Sequence, residues 1–281
     1  MTAAGERVAI VTGATAGIGF YTALGLARQG MRLVMVGRDP ARTERARRLV
    51  AERSGSGRVE TALADFASLA AVRRLAEALL ASHDRIDLLV NNAGLISPRF
   101  QLSEDGYELT FAVNHLAPFL LTNLLLDRLR ASAPARIVTV ASQAHRGFRL
   151  ALREVARPRD WTPLSAYGRS KLCNILFTRA LARRLDANEV TGACLHPGMV
   201  ATAIGDHAGA LARLGWRLAK PFLIGPEKGA ATSLFLATVA DPTPFHGSYV
   251  IGNRMAQPDV AALDDRVGEE LWMESARLVG M

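Results

Sequence analysis

The sequence predicts an α/β fold, a doubly wound parallel sheet with helices on both faces and a small helical addition near the C-terminus. Three observations carry this. Short apolar runs alternate with helix-periodic segments from Val8 to Leu195, and such alternation demands parallel strands joined by crossover helices. The first apolar run ends in a glycine-rich turn that opens directly into a helix. Polar residues able to do chemistry stand just after several of the predicted strands, at the sheet edge where open α/β proteins bind ligands.

The elements follow in order. Val8–Thr12 reads as a buried strand, Ile18–Gln29 as a helix and Arg32–Val36 as the second strand. Pro40–Arg53 is a polar, arginine-rich helix that starts at Asp39–Pro40, a cap residue followed by a proline suited to the first turn. Val59–Ala64 and Leu69–Ala81 give the third strand and helix, and Leu88–Val90 a fourth strand stopped by Asn91 and Gly94. A long helix is predicted over Gly106–Arg130, a strand over Ile137–Val140, a polar loop over Arg146–Pro163 and an amphipathic helix over Ala166–Leu185. Val190–Leu195 is the sixth strand. Gly205–Pro221 and Pro226–Thr238 are helical, and Tyr249–Ile251 is a candidate last strand.

Composition narrows the function classes. The 281 residues, 49% of them hydrophobic, suit one large domain spanning 1–281. The net charge of +8 is carried almost wholly by arginine, because lysine occurs only at Lys171, Lys220 and Lys228. These arginines are scattered and no recognition module accompanies them, which argues against nucleic-acid binding. Cys173 and Cys194 lie in apolar surroundings and form no disulfide framework. No uninterrupted apolar stretch of transmembrane length occurs, and Met1–Arg7 is too short and polar for a signal peptide. These features predict a cytoplasmic protein. His115, His145 and His196 match no metal-ligand spacing, so a structural part is expected of them and no metal.

The segment Gly13-Ala14-Thr15-Ala16-Gly17-Ile18-Gly19 sits at the first strand-to-helix junction. Gly13 permits a sharp turn, and Gly17 and Gly19 let main chain approach a pyrophosphate at the helix N-terminus. This predicts dinucleotide binding on a Rossmann-type sheet. Gly37-Arg38-Asp39 ends the second strand. Arg38 can pair with a ribose phosphate and Gly37 leaves room for it, whereas Asp39 could accept from a ribose hydroxyl or cap the next helix. NADP(H) is the favoured cofactor, with NAD(H) as the other possibility.

Tyr167 and Lys171 are four residues apart on a helix and therefore share a face. A nearby ammonium favours the phenolate and should lower the pKa of the tyrosine. Ser142 follows the fifth strand, where its hydroxyl can hold a carbonyl oxygen. The glycine motif, Asn91-Asn92-Ala93-Gly94, Ser142, the Tyr167/Lys171 pair and Pro197-Gly198 resemble, in order and spacing, the short-chain dehydrogenase/reductase family over nearly the whole chain. Phe111–Leu116, Arg136–Val138, Ser170–Leu172, His196–Gly198, Gly229–Ser233 and the tail around Leu271-Trp272 resemble its retinol-dehydrogenase-like branch.

The resemblance implies hydride transfer between a nicotinamide cofactor and an apolar alcohol, aldehyde or ketone. It implies Tyr167 as general acid and base, Lys171 as its partner on the nicotinamide ribose, Ser142 on the carbonyl, and Asn114 holding a water in a proton relay. It also implies that Asp65 meets the adenine, that Asn91 and Asn92 hold the end of the fourth strand and contact cofactor, that Phe66, Ala93, Gly94, Pro197 and Gly198 line the cofactor, and that Val200 and Thr202 contact the nicotinamide amide. Residues 205–225 become the substrate lid, and the two long helices become interfaces of a homodimer or homotetramer. Ala117 and Pro118 depart from the branch, and Pro118 could bend the helix that carries Asn114. The competing reading is a catalytically weak NADP(H)-binding module that regulates or docks to a partner.

Overall fold

The computed structural model describes residues 6–198 and 224–281. Elements are numbered along these residues. The sheet is built from β1 (Val8–Thr12), β2 (Arg32–Gly37), β3 (Val59–Leu63), β4 (Leu88–Asn91), β5 (Ala135–Val140), β6 (Val190–His196), β7 (Tyr249–Ile251) and β8 (Arg254–Met255). Their spatial order is β3-β2-β1-β4-β5-β6-β7-β8, with every pair parallel except β7–β8. The order reverses between β1 and β4, which opens a crevice at the carboxyl ends of those strands. The doubly wound fold is as the sequence predicts, and the two-residue β8 is an addition with no periodicity to reveal it.

Helices α1 (Gly17–Arg28), α2 (Pro40–Ser54) and α6 (Pro226–Thr238) pack against one face of the sheet. The other face carries α3 (Leu69–Ser82), α4 (Leu109–Ala131), α5 (Pro163–Ala182) and α7 (Asp265–Val279). Local chemistry sets their ends. The Asp39 carboxylate accepts from the Arg42 N–H at 2.8 Å and starts α2, and Gly55 at φ 69° ends it. A capping box between Thr162 and Ser165 starts α5 at Pro163, three residues before the predicted start. The predicted helix from Gly106 starts instead at Leu109, because the buried Glu108 carboxylate caps the Thr110 and Phe111 N–H groups at 3.0 and 2.7 Å.

Helix α4 contains one widened turn, a π-helical stretch over Ala112–Leu116. It is long and apolar enough to cross a bilayer by length and composition, with a mean hydropathy of 1.5, yet 78% of that window is buried inside the protein. Helix α7 is the element that the sequence analysis passed over. It lies on α5 and the adjoining part of α4, where Trp272 stacks on Phe177 at 5.8 Å and meets Phe119 edge-on at 5.0 Å. Ser275 hydrogen-bonds His115 Nε2 at 2.9 Å, and Arg184 lies 4.2 Å over the Trp272 ring. Helix α7 thus covers part of α5 and the adjoining stretch of α4. The expected lid, 205–225, lies outside the described residues except for Ile224 and Gly225.

Candidate active site

The glycine turn is a cradle. Gly13 and Gly17 have φ of 65° and 58°, a region costly for other residues. A Cβ on Gly19 would sit 2.4 Å from both Asn92 Nδ2 and the Gly13 carbonyl oxygen, so only glycine fits. The first turn of α1 has no side-chain cap and no acidic residue, and Ala16 at its start is exposed. Its N–H groups therefore face the crevice unclaimed by side chains, as an anionic diphosphate requires. Thr15 and Ile18 stand half-buried on the rim. The donor set fits a dinucleotide.

Two asparagines expected to hold the end of the fourth strand do so through their amides. Asn91 donates to Thr122 Oγ1 at 2.9 Å, and Asn92 donates to the Thr12 carbonyl at 2.7 Å. Thr12 Oγ1 in turn accepts the N–H groups of Asn92 and Ala93, both at 3.0 Å. These side chains tie β4 to α4 and to the glycine turn. The ring of Phe66 is buried in the hydrophobic core.

At the end of β2 the Asp39 carboxylate caps α2 through one of its oxygens, as one of its two expected roles requires. A Cβ at Gly37 would lie 2.2 Å from Thr43 Oγ1 and 2.7 Å from Thr15 Cγ2, so glycine lets these segments close up. Arg38 is 71% exposed and only loosely paired with Asp65 at 3.8 Å. Both line a cavity of about 520 Å³ that runs along β3 beside α3.

The predicted catalytic residues converge at the carboxyl ends of β4 and β5. Lys171 is buried, donates from Nζ to the Val140 carbonyl at 2.8 Å and lies 5.5 Å from the centre of the Tyr167 ring. Asn114 sits in the widened turn of α4, where its amide accepts from the Leu95 N–H at 2.8 Å and donates to the Leu95 carbonyl at 2.9 Å. It also donates to Ser170 Oγ at 3.0 Å, and Ser170 donates to the Tyr167 carbonyl at 2.7 Å. Gly94 lies between them, since a Cβ there would be 3.2 Å from Asn114 Oδ1 and 3.6 Å from Lys171 Nζ.

Pro118 belongs to this arrangement. It has no N–H to give to the preceding turn, and it follows directly on the stretch where the Ala117 N–H reaches back five residues to the Ala112 carbonyl. A proline ring ordinarily clashes with the carbonyl four residues back, and the widened turn just before it provides slack. The helix runs through Pro118 to Ala131.

Ser142 is presented by a short turn, Gln143–His145, that follows β5. Its Oγ accepts the Ala144 N–H at 3.1 Å, which leaves the hydroxyl proton free to donate. The turn approaches α5 closely because residue 168 is glycine: a Cβ there would be 2.2 Å from Phe148 Cε2 and 2.7 Å from the Ala144 carbonyl oxygen. Two histidines hold the same turn. Gln143 N–H donates to His196 Nδ1 at 3.3 Å, and His145 Nδ1 meets the Ser142 carbonyl at 2.6 Å. The sequence expected a structural part of His145 and His196 and placed Ser170 in a family motif, whereas Gly168 carries no signal beyond its place between Tyr167 and Lys171.

Electrostatics corrects one expectation. Burial pushes the Tyr167 phenol above its usual pKa, and the neighbouring Ser142 hydroxyl only partly opposes it. Burial also pulls Lys171 down to about 8. The sequence argument had Lys171 lowering the tyrosine, but desolvation prevails for both groups. Tyr167 is therefore held as a phenol, ready to give a proton. Among the described residues no cluster of metal ligands occurs. Pro197 and Gly198, the latter at φ 88°, close the floor after β6. Val200 and Thr202 lie outside the described residues.

Comparison with known proteins agrees with this geometry. Residues 7–210 match the short chain dehydrogenase family. Human retinol dehydrogenase 13 is 39% identical over 98% of this chain and 85% of its own. Human dehydrogenase/reductase SDR family member 13 is 42% identical over 98% of this chain and 74% of its own. Among solved structures, an uncharacterized protein of Mycobacterium paratuberculosis superposes with a TM-score of 0.79 at 32% identity, covering 99% of this chain and 94% of that one. The RhlG/NADP active-site complex of Pseudomonas aeruginosa gives 0.70 at 28% identity, over 88% of this chain and 95% of its own. The 3-ketoacyl-(acyl-carrier-protein) reductase of Brucella melitensis, complexed with NADH, gives 0.68 at 25%, over 88% and 97%. The chain belongs to the short-chain dehydrogenase/reductase family, in its retinol-dehydrogenase-like branch, and is an oxidoreductase of CH–OH groups that binds a nicotinamide cofactor.

Proposed function

We propose that the enzyme interconverts an apolar alcohol and its aldehyde or ketone with NADP(H) as the preferred cofactor. The observation that carries the cofactor choice is the division of labour at the end of β2. Asp39, the one acid there able to claim a ribose hydroxyl, is engaged as a helix cap, while Arg38 stands exposed beside Gly37. A guanidinium so placed suits a 2′-phosphate.

The residues divide the chemistry as follows. The bound nicotinamide supplies or takes up the hydride. Ser142, with its oxygen already accepting from Ala144, donates its proton to the substrate oxygen and orients it. Tyr167 gives that oxygen a proton in the reductive direction and recovers it in the oxidative one. Lys171 keeps further N–H donors beyond its bond to Val140, enough to hold ribose hydroxyls and feed a proton toward Tyr167. Asn114, held by Leu95 and Ser170 beside Lys171, marks the route by which solvent replaces that proton.

The test is kcat/KM with NADPH and with NADH on a panel of apolar aldehydes and ketones. The wild type should prefer NADPH, and Arg38→Ser should erase most of that preference while leaving turnover with NADH. Tyr167→Phe should abolish turnover yet still bind NADPH. A wild-type preference for NADH, or an Arg38→Ser variant that keeps the original ratio, refutes the cofactor assignment.

A further inference from the structure

The main chain at Ser142 is tied to a segment more than a hundred residues away. His145 is fully buried, with its ring edge against Tyr249 at 5.3 Å. Its Nδ1 meets the Ser142 carbonyl at 2.6 Å, and its Nε2 takes the Asp259 N–H at 2.9 Å. A backbone N–H only donates and a carbonyl only accepts, so the two contacts fix one neutral tautomer, with the proton on Nδ1. Burial also lowers the pKa of the ring, in keeping with that neutral form. Further bonds run beside this one. Gly147 N–H donates to Asp259 Oδ2 at 3.1 Å, and Arg146 donates to the Gln257 carbonyl at 2.7 Å.

We propose that His145 is a positioning residue for Ser142, and that through it the C-terminal segment 257–261 holds the catalytic serine in register with Tyr167. The inference rests on the reading of Ser142 as the residue that orients the substrate carbonyl. Ser142 ends a strand and has an extended backbone, φ −166° and ψ 154°. Nothing in the strand ladder fixes the orientation of the turn that follows. The imidazole does so by joining its first carbonyl to main chain outside the turn. The His196 contact with Gln143 N–H holds the same turn from the β6 side. The serine hydroxyl, with its oxygen on Ala144, then has one direction left for its proton.

The φ of Asp259, −62°, is that of proline, so Asp259→Pro keeps the local direction of the chain while removing the N–H that reaches His145. The proline ring carbon then stands where that hydrogen met Nε2, at a 2.9 Å N···N contact, and displaces the buried imidazole from its place. Asp259→Ala removes the carboxylate bonds to Gly147 and Ala261 but keeps the N–H, and serves as the reference. The readouts are kcat, KM for both substrates, NADPH binding and melting temperature, each in the wild-type and the Ser142→Ala background.

Asp259→Pro should lower kcat about five- to tenfold relative to Asp259→Ala, a loss of the size one positioning hydrogen bond supports. KM for NADPH should hold within about twofold. In the Ser142→Ala background the same change should have no further effect on kcat, because the hydroxyl it positions is gone. His145→Gln, which loses the Ser142 contact, should behave like Asp259→Pro, and it carries the comparison if the proline variant does not fold. Equal kcat for Asp259→Pro and Asp259→Ala overturns the proposal. So does a full further loss in the Ser142→Ala background, which marks a purely structural role. If Ser142→Ala alone keeps wild-type kcat, the assignment of Ser142 falls first, and that result is distinct from the other two.

Discussion

Replacing Gly168 with alanine should separate the two halves of the active site. The new Cβ would lie 2.2 and 2.4 Å from Cε2 and Cδ2 of Phe148 and 2.7 Å from the Ala144 carbonyl oxygen. Carbon atoms rest about 3.5–4.0 Å apart, so the Phe148 ring has to retreat by roughly 1.3 Å or more. A half-buried ring can turn aside. The Ala144 carbonyl belongs to the turn that presents Ser142, and it moves only with that turn. Overpacking of this kind costs about 1–3 kcal/mol of stability. A displacement near 1 Å at the reacting groups costs on the order of 100-fold in rate. Gly168→Ala should therefore lower the melting temperature by a few degrees and kcat by about 10- to 100-fold, with little change in cofactor KM. Adding Phe148→Ala relieves the ring contacts but not the carbonyl, so stability should recover more than kcat. Wild-type kcat in Gly168→Ala refutes the reasoning. Complete recovery of kcat in the double variant removes the carbonyl from it.

Acid should destabilise the protein through buried histidines. His196, buried and beside His145, titrates at about 4 in the folded chain against a usual 6.5. Its folded pKa is depressed, so the neutral ring's stabilisation is complete above about 6.5 and is lost as pH falls toward 4, about 3 kcal/mol in all. Urea unfolding between pH 7.5 and 4 should show this slope, and His196→Gln should flatten it; an unchanged slope refutes the assignment. Pro118→Ala supplies an N–H just after the widened turn that carries Asn114, so the turn can tighten to an ordinary helical one. Stability should hold or rise while kcat falls several-fold, whereas unchanged kcat shows that the widened turn does not set the place of Asn114. Trp272→Ala should cost on the order of 2 kcal/mol by chemical denaturation, because the ring is half-buried among Phe119, Phe177 and Arg184. A loss below about 0.5 kcal/mol means that α7 is not held by this contact.

Much of this molecule was legible in its sequence, for reasons that differ by element. The parallel strands announced themselves because both sheet faces are covered, which makes each strand a nearly unbroken apolar run. The glycine turn and the Tyr167/Lys171 spacing were legible because their chemistry depends on local geometry. What escaped depends on partners distant in the chain. The partners of the Asn91 and Asn92 amides, Thr122 and Thr12, stand 31 and 80 residues away, and no local pattern names them. The ionisation of Tyr167 could not be read from a four-residue spacing, since burial is a property of the whole fold. Helix α7 did carry local signals. Asp264 caps its start by accepting the Val267 N–H at 3.1 Å, and Gly280 at φ 70° ends it.

That last helix changes what the rest of the chain depends on. Enzymes that bury an apolar helix pair against a second copy bind their internal order to protein concentration. Here Trp272 and Ser275 of α7 pack on Phe177 of α5 and on His115 and Phe119 of α4, all within one chain. That contact forms with the fold itself, and its strength does not change with protein concentration.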